Sequence, residues 1–90
     1  MEYMVTHIRR DRGDLDRRID MLKGPSFGPS LIDTVILDIL VGHNQYYVTT
    51  GARLLDVAYL EVKTSSAGRQ YLRTIPDGLF DNNLYALPEI

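Results

Sequence analysis

Between Ser30 and Gly42 the apolar positions Leu31, Ile32, Val35, Ile36, Ile39 and Leu40 recur at i, i+1, i+4 and i+5, which gathers them on one arc of an α-helix. Ser30 stands where an N-cap belongs, and Asp33 adds a capping-box-like acid at the positive end of the helix dipole. Gly42 is the expected residue just past the helix end. On either side the period shortens to that of strands. Glu2–Arg10 reads as a first strand, although Val5 and Ile8 are out of phase and call for a bulge or a twist. Asp11–Asp16 is turn material, so Arg17–Lys23 forms the second arm of a hairpin. The stretch GPSFGPS, Gly24–Ser30, reads as a loop that delivers the chain to the helix. Gln45–Thr50 is strongly β in character and turns at Gly51-Ala52 into Arg53–Thr64, where Leu55, Val57 and Tyr59 share a face. Ser65–Gly68 then leads into Arg69–Ile75. The predicted order is ββαβββ, an α+β fold in which one amphipathic helix packs on a small twisted antiparallel sheet of about five strands. No repeat or linker interrupts residues 1–90, which are expected to form one domain.

Composition narrows the function classes. A chain of 90 residues supports one small core, and apolar surface beyond it needs a partner. There is no cysteine, which excludes disulfides, thiolate catalysis and cysteine-ligated metal clusters. A net charge of −2 argues against general nucleic-acid binding through counterion release. No apolar run approaches the roughly twenty residues that span a bilayer. The opening MEYMVTHIRR carries Glu2 and no apolar signal segment, so a cytoplasmic location is expected.

The opening VTHIRR, the glycine-rich loop with its aromatic Phe27, the helix ending in glycine and the following YYV together resemble a known family. The ending strengthens the likeness, with Tyr71, Leu72, Arg73, Thr74, Asp77, Asn83, Leu84, Leu87 and Pro88 as its most specific part. The chain is similar to the short bacterial and phage proteins grouped as domain of unknown function 3892. The resemblance implies a small α+β domain over nearly the whole chain, a phage or mobile-element origin, and no reaction. Members often carry tryptophan where this chain has Phe27 and cysteine where it has Ile90.

Candidate chemistry lies in arginines, tyrosines and the polar C-terminal run. Arg9, Arg10 and Arg73 offer planar forks for an anion, and Tyr46, Tyr47 and Tyr71 offer stacking faces. Thr74, Asp77 and Asn83 are polar groups spaced to surround the same ligand, or turn and cap residues that tie down the chain end. Arg9, Arg10, Arg12, Arg17 and Arg18 alternate with Asp11, Asp14, Asp16 and Asp20, so the hairpin also reads as a self-compensated surface. GPSFGPS is a poor phosphate loop, because Pro25 and Pro29 lack amide donors and no lysine follows. His7 and His43 have no metal spacing, and no nucleophile–base set is recognisable.

The helix carries more apolar surface than one sheet face can cover, with Leu37 and Val41 outside its main arc and no lysine or arginine anywhere along it. Leu37 and Val41 are therefore expected in a homo-oligomer interface. The leading expectation is a non-catalytic oligomeric protein that sequesters a small anionic, nucleotide-like ligand and needs no cofactor. A protein-interaction module using the helix or an edge strand against a host protein is the second. A small phosphohydrolase-like enzyme is the third.

Overall fold

The computed structural model describes residues 1–14, 17–49, 57–75 and 84–90. They form β1 (Glu2–Met4), β2 (His7–Arg10), β3 (Ile19–Gly24), β4 (Phe27–Leu31), α1 (Ile32–Leu40), β5 (Gln45–Thr49), β6 (Val57–Thr64), β7 (Gln70–Thr74) and a 3-10 turn, Leu84–Ala86. One sheet has the order β1-β5-β6-β7, with β1 parallel to β5 and the other pairs antiparallel. The second is an antiparallel meander, β2-β3-β4. The α+β class is as expected, whereas the single five-stranded sheet is replaced by two sheets.

The odd phase of Val5 and Ile8 has a cause larger than a bulge. The Val5 amide donates to Tyr47 O at 2.8 Å in the first sheet, and the next amide, Thr6, donates to Lys23 O at 2.9 Å in the second. The chain changes sheets between these two residues. Both Val5 and Ile8 can then face the shared core, where they are 2% and 0% exposed. The expected strand Glu2–Arg10 is therefore two strands.

Gly24–Ser30 is also corrected: Pro25 and Ser26 make the turn, and Phe27–Leu31 is a strand. Pro29 is tolerated because β4 is an edge strand, where a missing amide need not break a ladder. With Ser30 paired to Leu22 in that strand, its hydroxyl donates to Gly28 O at 3.1 Å and cannot cap the helix. Leu31 occupies the N-cap position instead, without a side-chain bond, and is 54% exposed. Asp33 pairs with Arg17 at 2.7 Å.

At the other end Val41 is the C-cap and Gly42 follows it as expected. The left-handed residue is His43, at φ 59°. Gly42 is required for space, since a Cβ there would meet Asp38 Oδ1 at 2.5 Å. The turn Gly51-Ala52 and residues 53–56 lie outside the described residues.

The buried side of α1, Ile32, Val35 and Ile36, shares one core with both sheets. Val48, Ala58, Leu60 and Leu72 come from the first sheet, Ile8, Ile19 and Leu22 from the second. Burying each of the larger side chains contributes about 1.5–3 kcal/mol. The C-terminal segment closes the seam between the sheets. Leu84 is 1% exposed in the core, the Tyr85 hydroxyl donates to Leu72 O at 2.8 Å, and Glu89 forms a parallel bridge with Ile8. No helix among the described residues is long and apolar enough to cross a membrane.

Candidate functional site

The arginines do not gather around a common point. Arg9 forks onto Asp20, with Nε to Oδ1 and Nη2 to Oδ2 both at 2.8 Å. That hydrogen bond holds the Asp20 carboxyl below its ordinary range, and the Arg17 guanidinium does the same for Asp33. Both acids therefore add stability above their unfolded pKa near 3.9, and lose it as pH falls through the lower folded values. Arg10 turns to the chain end, where it meets Glu89 Oε1 at 2.9 Å, Leu87 O at 3.1 Å and the Tyr85 carbonyl oxygen.

Arg73 stands directly opposite Glu61 in the β6–β7 register, and its Nε donates to Glu61 Oε1 at 3.2 Å. Lys63 approaches the same carboxylate at 3.3 Å. The sequence alone offers the Arg73 fork to a ligand anion. In the structure the Arg73 Nε is held by Glu61, and Asp77 and Asn83 lie outside the described residues. Such half-exposed pairs contribute about 1 kcal/mol or less. Arg73→Lys keeps the charge facing Glu61, so it is expected to shift the thermal midpoint by only a few degrees; calorimetry of the two proteins checks this.

The tyrosines divide as well, because consecutive strand residues face opposite sides of a sheet. Tyr46 is 6% exposed and belongs to the core. Its hydroxyl donates to Asp38 Oδ2 at 2.6 Å, and its ring meets Phe27 edge-on at 5.4 Å and Tyr3 at 5.2 Å. Burial, reinforced by Asp38, pushes the Tyr46 phenol well above its usual range. Tyr46 is thus a packing residue and offers no stacking face to a ligand. Tyr47 lies on the other face with its ring 6.0 Å from Tyr59. Tyr71 is half-buried opposite Lys63, and Thr74 half-buried opposite Leu60.

Asp38 was missed by the sequence reading. It sits in the last turn of α1, where a carboxylate opposes the helix dipole unless it finds donors. Asn44 Nδ2 at 2.8 Å joins the Tyr46 hydroxyl in supplying them. The acid therefore fastens the helix end to β5, and its place near a helix C-terminus was the available signal.

The outward side of α1 is the most distinctive surface. Leu37 is 61% exposed and Val41 65%, as expected for residues outside the packed arc. Leu40, expected within that arc, is also 50% exposed, because the sheets embrace a narrower side of the helix than the apolar pattern spans. Thr34, Leu37, Asp38, Val41 and Gly42 line an open, mainly apolar groove of about 340 Å³. A second recess of about 300 Å³ lies at the helix C-terminal end, bounded by α1, the start of β5, β6 and Ile75 just after β7.

No curated protein and no solved structure matches this chain at a significant level. The family model described as protein of unknown function DUF3892 matches residues 5–88, and with it the sheet switch, the helix and the C-terminal closure, so the chain belongs to that family.

Proposed function

We propose that this protein is a non-catalytic interaction module that self-associates through the outward side of α1. The observation that carries the reading is the run of exposed apolar residues Leu37, Leu40 and Val41 on a helix without a basic residue. Charge does not oppose a second copy there. Asp33 is paired with Arg17, and Asp38 is held by Asn44 and Tyr46, so the two faces meet without an unsatisfied carboxylate. An anionic ligand held by Arg9, Arg10 and Arg73 would have to displace Asp20, Glu89 and Glu61 from them, which makes it the weaker reading.

Sedimentation velocity across a micromolar concentration series is expected to show a reversible dimer. Leu37→Glu places a charge in the contact while leaving the core untouched. It is expected to weaken association at least about tenfold, or 1.4 kcal/mol, with little change in melting. A monomer at every concentration would overturn the proposal.

A further inference from the structure

We infer that Leu40 of one copy seats in the recess beside the helix end of the other copy, an inference that rests on the self-association proposed above. The recess is lined by Ile39, His43, Tyr59, Leu60 and Ile75 together with the polar Asn44 and Gln45. Its volume, about 300 Å³, is ample for one leucine side chain; a cavity of about 150 Å³ already holds a benzene ring.

Area requires a contact of this kind. A helix of 9 residues is only about 14 Å long, and its outer face alone falls well short of the roughly 800 Å² per partner of a standard interface. The recess adds a surface of mixed polar and apolar character beside α1, in which Ile75 is 45% exposed. Position also fits. Ile75, the residue after β7, lines the recess together with Ile39 and His43, so the recess opens at the helix end that carries Leu40. A two-fold axis passing near this helix end brings each Leu40 to the other copy's recess, since an isologous contact presents the same knob and the same hole on both sides.

The absence of cysteine makes the geometry directly testable. Leu40→Cys and Ile75→Cys proteins, mixed under mild oxidation, are expected to form the mixed disulfide at least about tenfold faster than either protein cross-links to itself, because a disulfide needs Cα atoms within about 7 Å. Ile75→Trp fills the recess from an exposed position whose backbone is fixed by the Ile75 N–H bond to Tyr59 O at 2.8 Å. It is expected to weaken the dimer about tenfold or more while the melting curve stays in place. Wild-type protein that sediments only as a monomer would overturn both this inference and the reading beneath it. A wild-type dimer that tolerates Ile75→Trp and yields no excess of mixed disulfide would overturn the seating of Leu40 alone, leaving the helix interface standing.

Discussion

Removing Leu84–Ile90 is expected to cost most of the stability of this protein, and Leu84→Ala alone about 3 kcal/mol. Leu84 is 1% exposed, and truncating a buried leucine costs about 2–5 kcal/mol because a cavity remains where methyl groups packed. Deletion adds further losses. The Ile8 amide gives up Pro88 O at 3.0 Å, the Ile8 carbonyl gives up the Ile90 amide at 2.9 Å, and the Leu72 carbonyl loses the Tyr85 hydroxyl. Each is a net loss of about 1 kcal/mol. Arg10 is left without its two carbonyl partners and Glu89, and Arg18 without the Tyr85 ring 5.8 Å beneath its guanidinium. A domain of 90 residues has only about 4–14 kcal/mol in total. Urea unfolding followed by circular dichroism measures both variants. At about 4–8 °C per kcal/mol, Leu84→Ala should lower the thermal midpoint by at least about 10 °C. An unchanged midpoint in the truncated protein would show that the tail contributes nothing.

This closure accounts for the C-terminal leucines and for Glu89, whereas Asp77 and Asn83 lie outside the described residues. The spacing of Leu84 and Leu87, three residues apart, is legible in the sequence as one side of a helical turn, and both pack against the core. The partners were not legible, because Arg10 and Glu89 are 79 positions apart and nothing local records such a pairing. The same limit applies to Arg9 with Asp20 and Arg73 with Glu61. The sequence shows balanced charges, whereas strand register decides which carboxylate each guanidinium reaches. Once register is known, the three arginines are occupied at three places and their joint claim on one ligand loses its geometric basis.

The helix was the most legible element, since its 3.6-residue period is local. Its ends were less so. Ser30 has the chemistry of an N-cap but is committed to β4, so strand pairing overrides capping preference there. Pro25 and Pro29 flank Phe27 and Gly28, and proline punctuation concealed a strand that only an edge position permits. Leu37 and Val41 are exposed as their positions outside the arc required, and Leu40 joins them because α1 is embraced less widely than its apolar residues extend. The exposed apolar surface is therefore larger than the pattern alone indicated, which strengthens the case for a partner on that side.

Among the described glycines, Gly24 is the one at which an added methyl group is expected to be most disruptive. Gly24 closes β3 where the two sheets meet, and its Cα lies against the backbone of Met4 at the end of β1. A Cβ there would overlap the Met4 carbonyl oxygen and meet Cε1 of the Phe27 ring at 2.6 Å. The ring is itself wedged against Tyr3 and Tyr46, at centroid distances of 5.9 and 5.4 Å, so it cannot retreat without disturbing the core. Nor can Met4 yield freely, because the following amide, Val5, is tied to Tyr47 O and the next, Thr6, to Lys23 O. Relief must come from separating β1 from β3 at the point where the chain passes between sheets. A cost of about 3 kcal/mol or more is expected, at the upper end of ordinary point mutations. Gly28→Ala is the matched control: nothing lies within 4 Å of a Cβ at that position. It should be neutral, or stabilising by up to about 1 kcal/mol through lost freedom of the unfolded chain. Denaturant midpoints of the two variants, compared with wild type, separate close approach from the general effect of replacing a strand glycine. If Gly24→Ala unfolds where Gly28→Ala does, the sheets do not meet at Gly24 as closely as the structure shows.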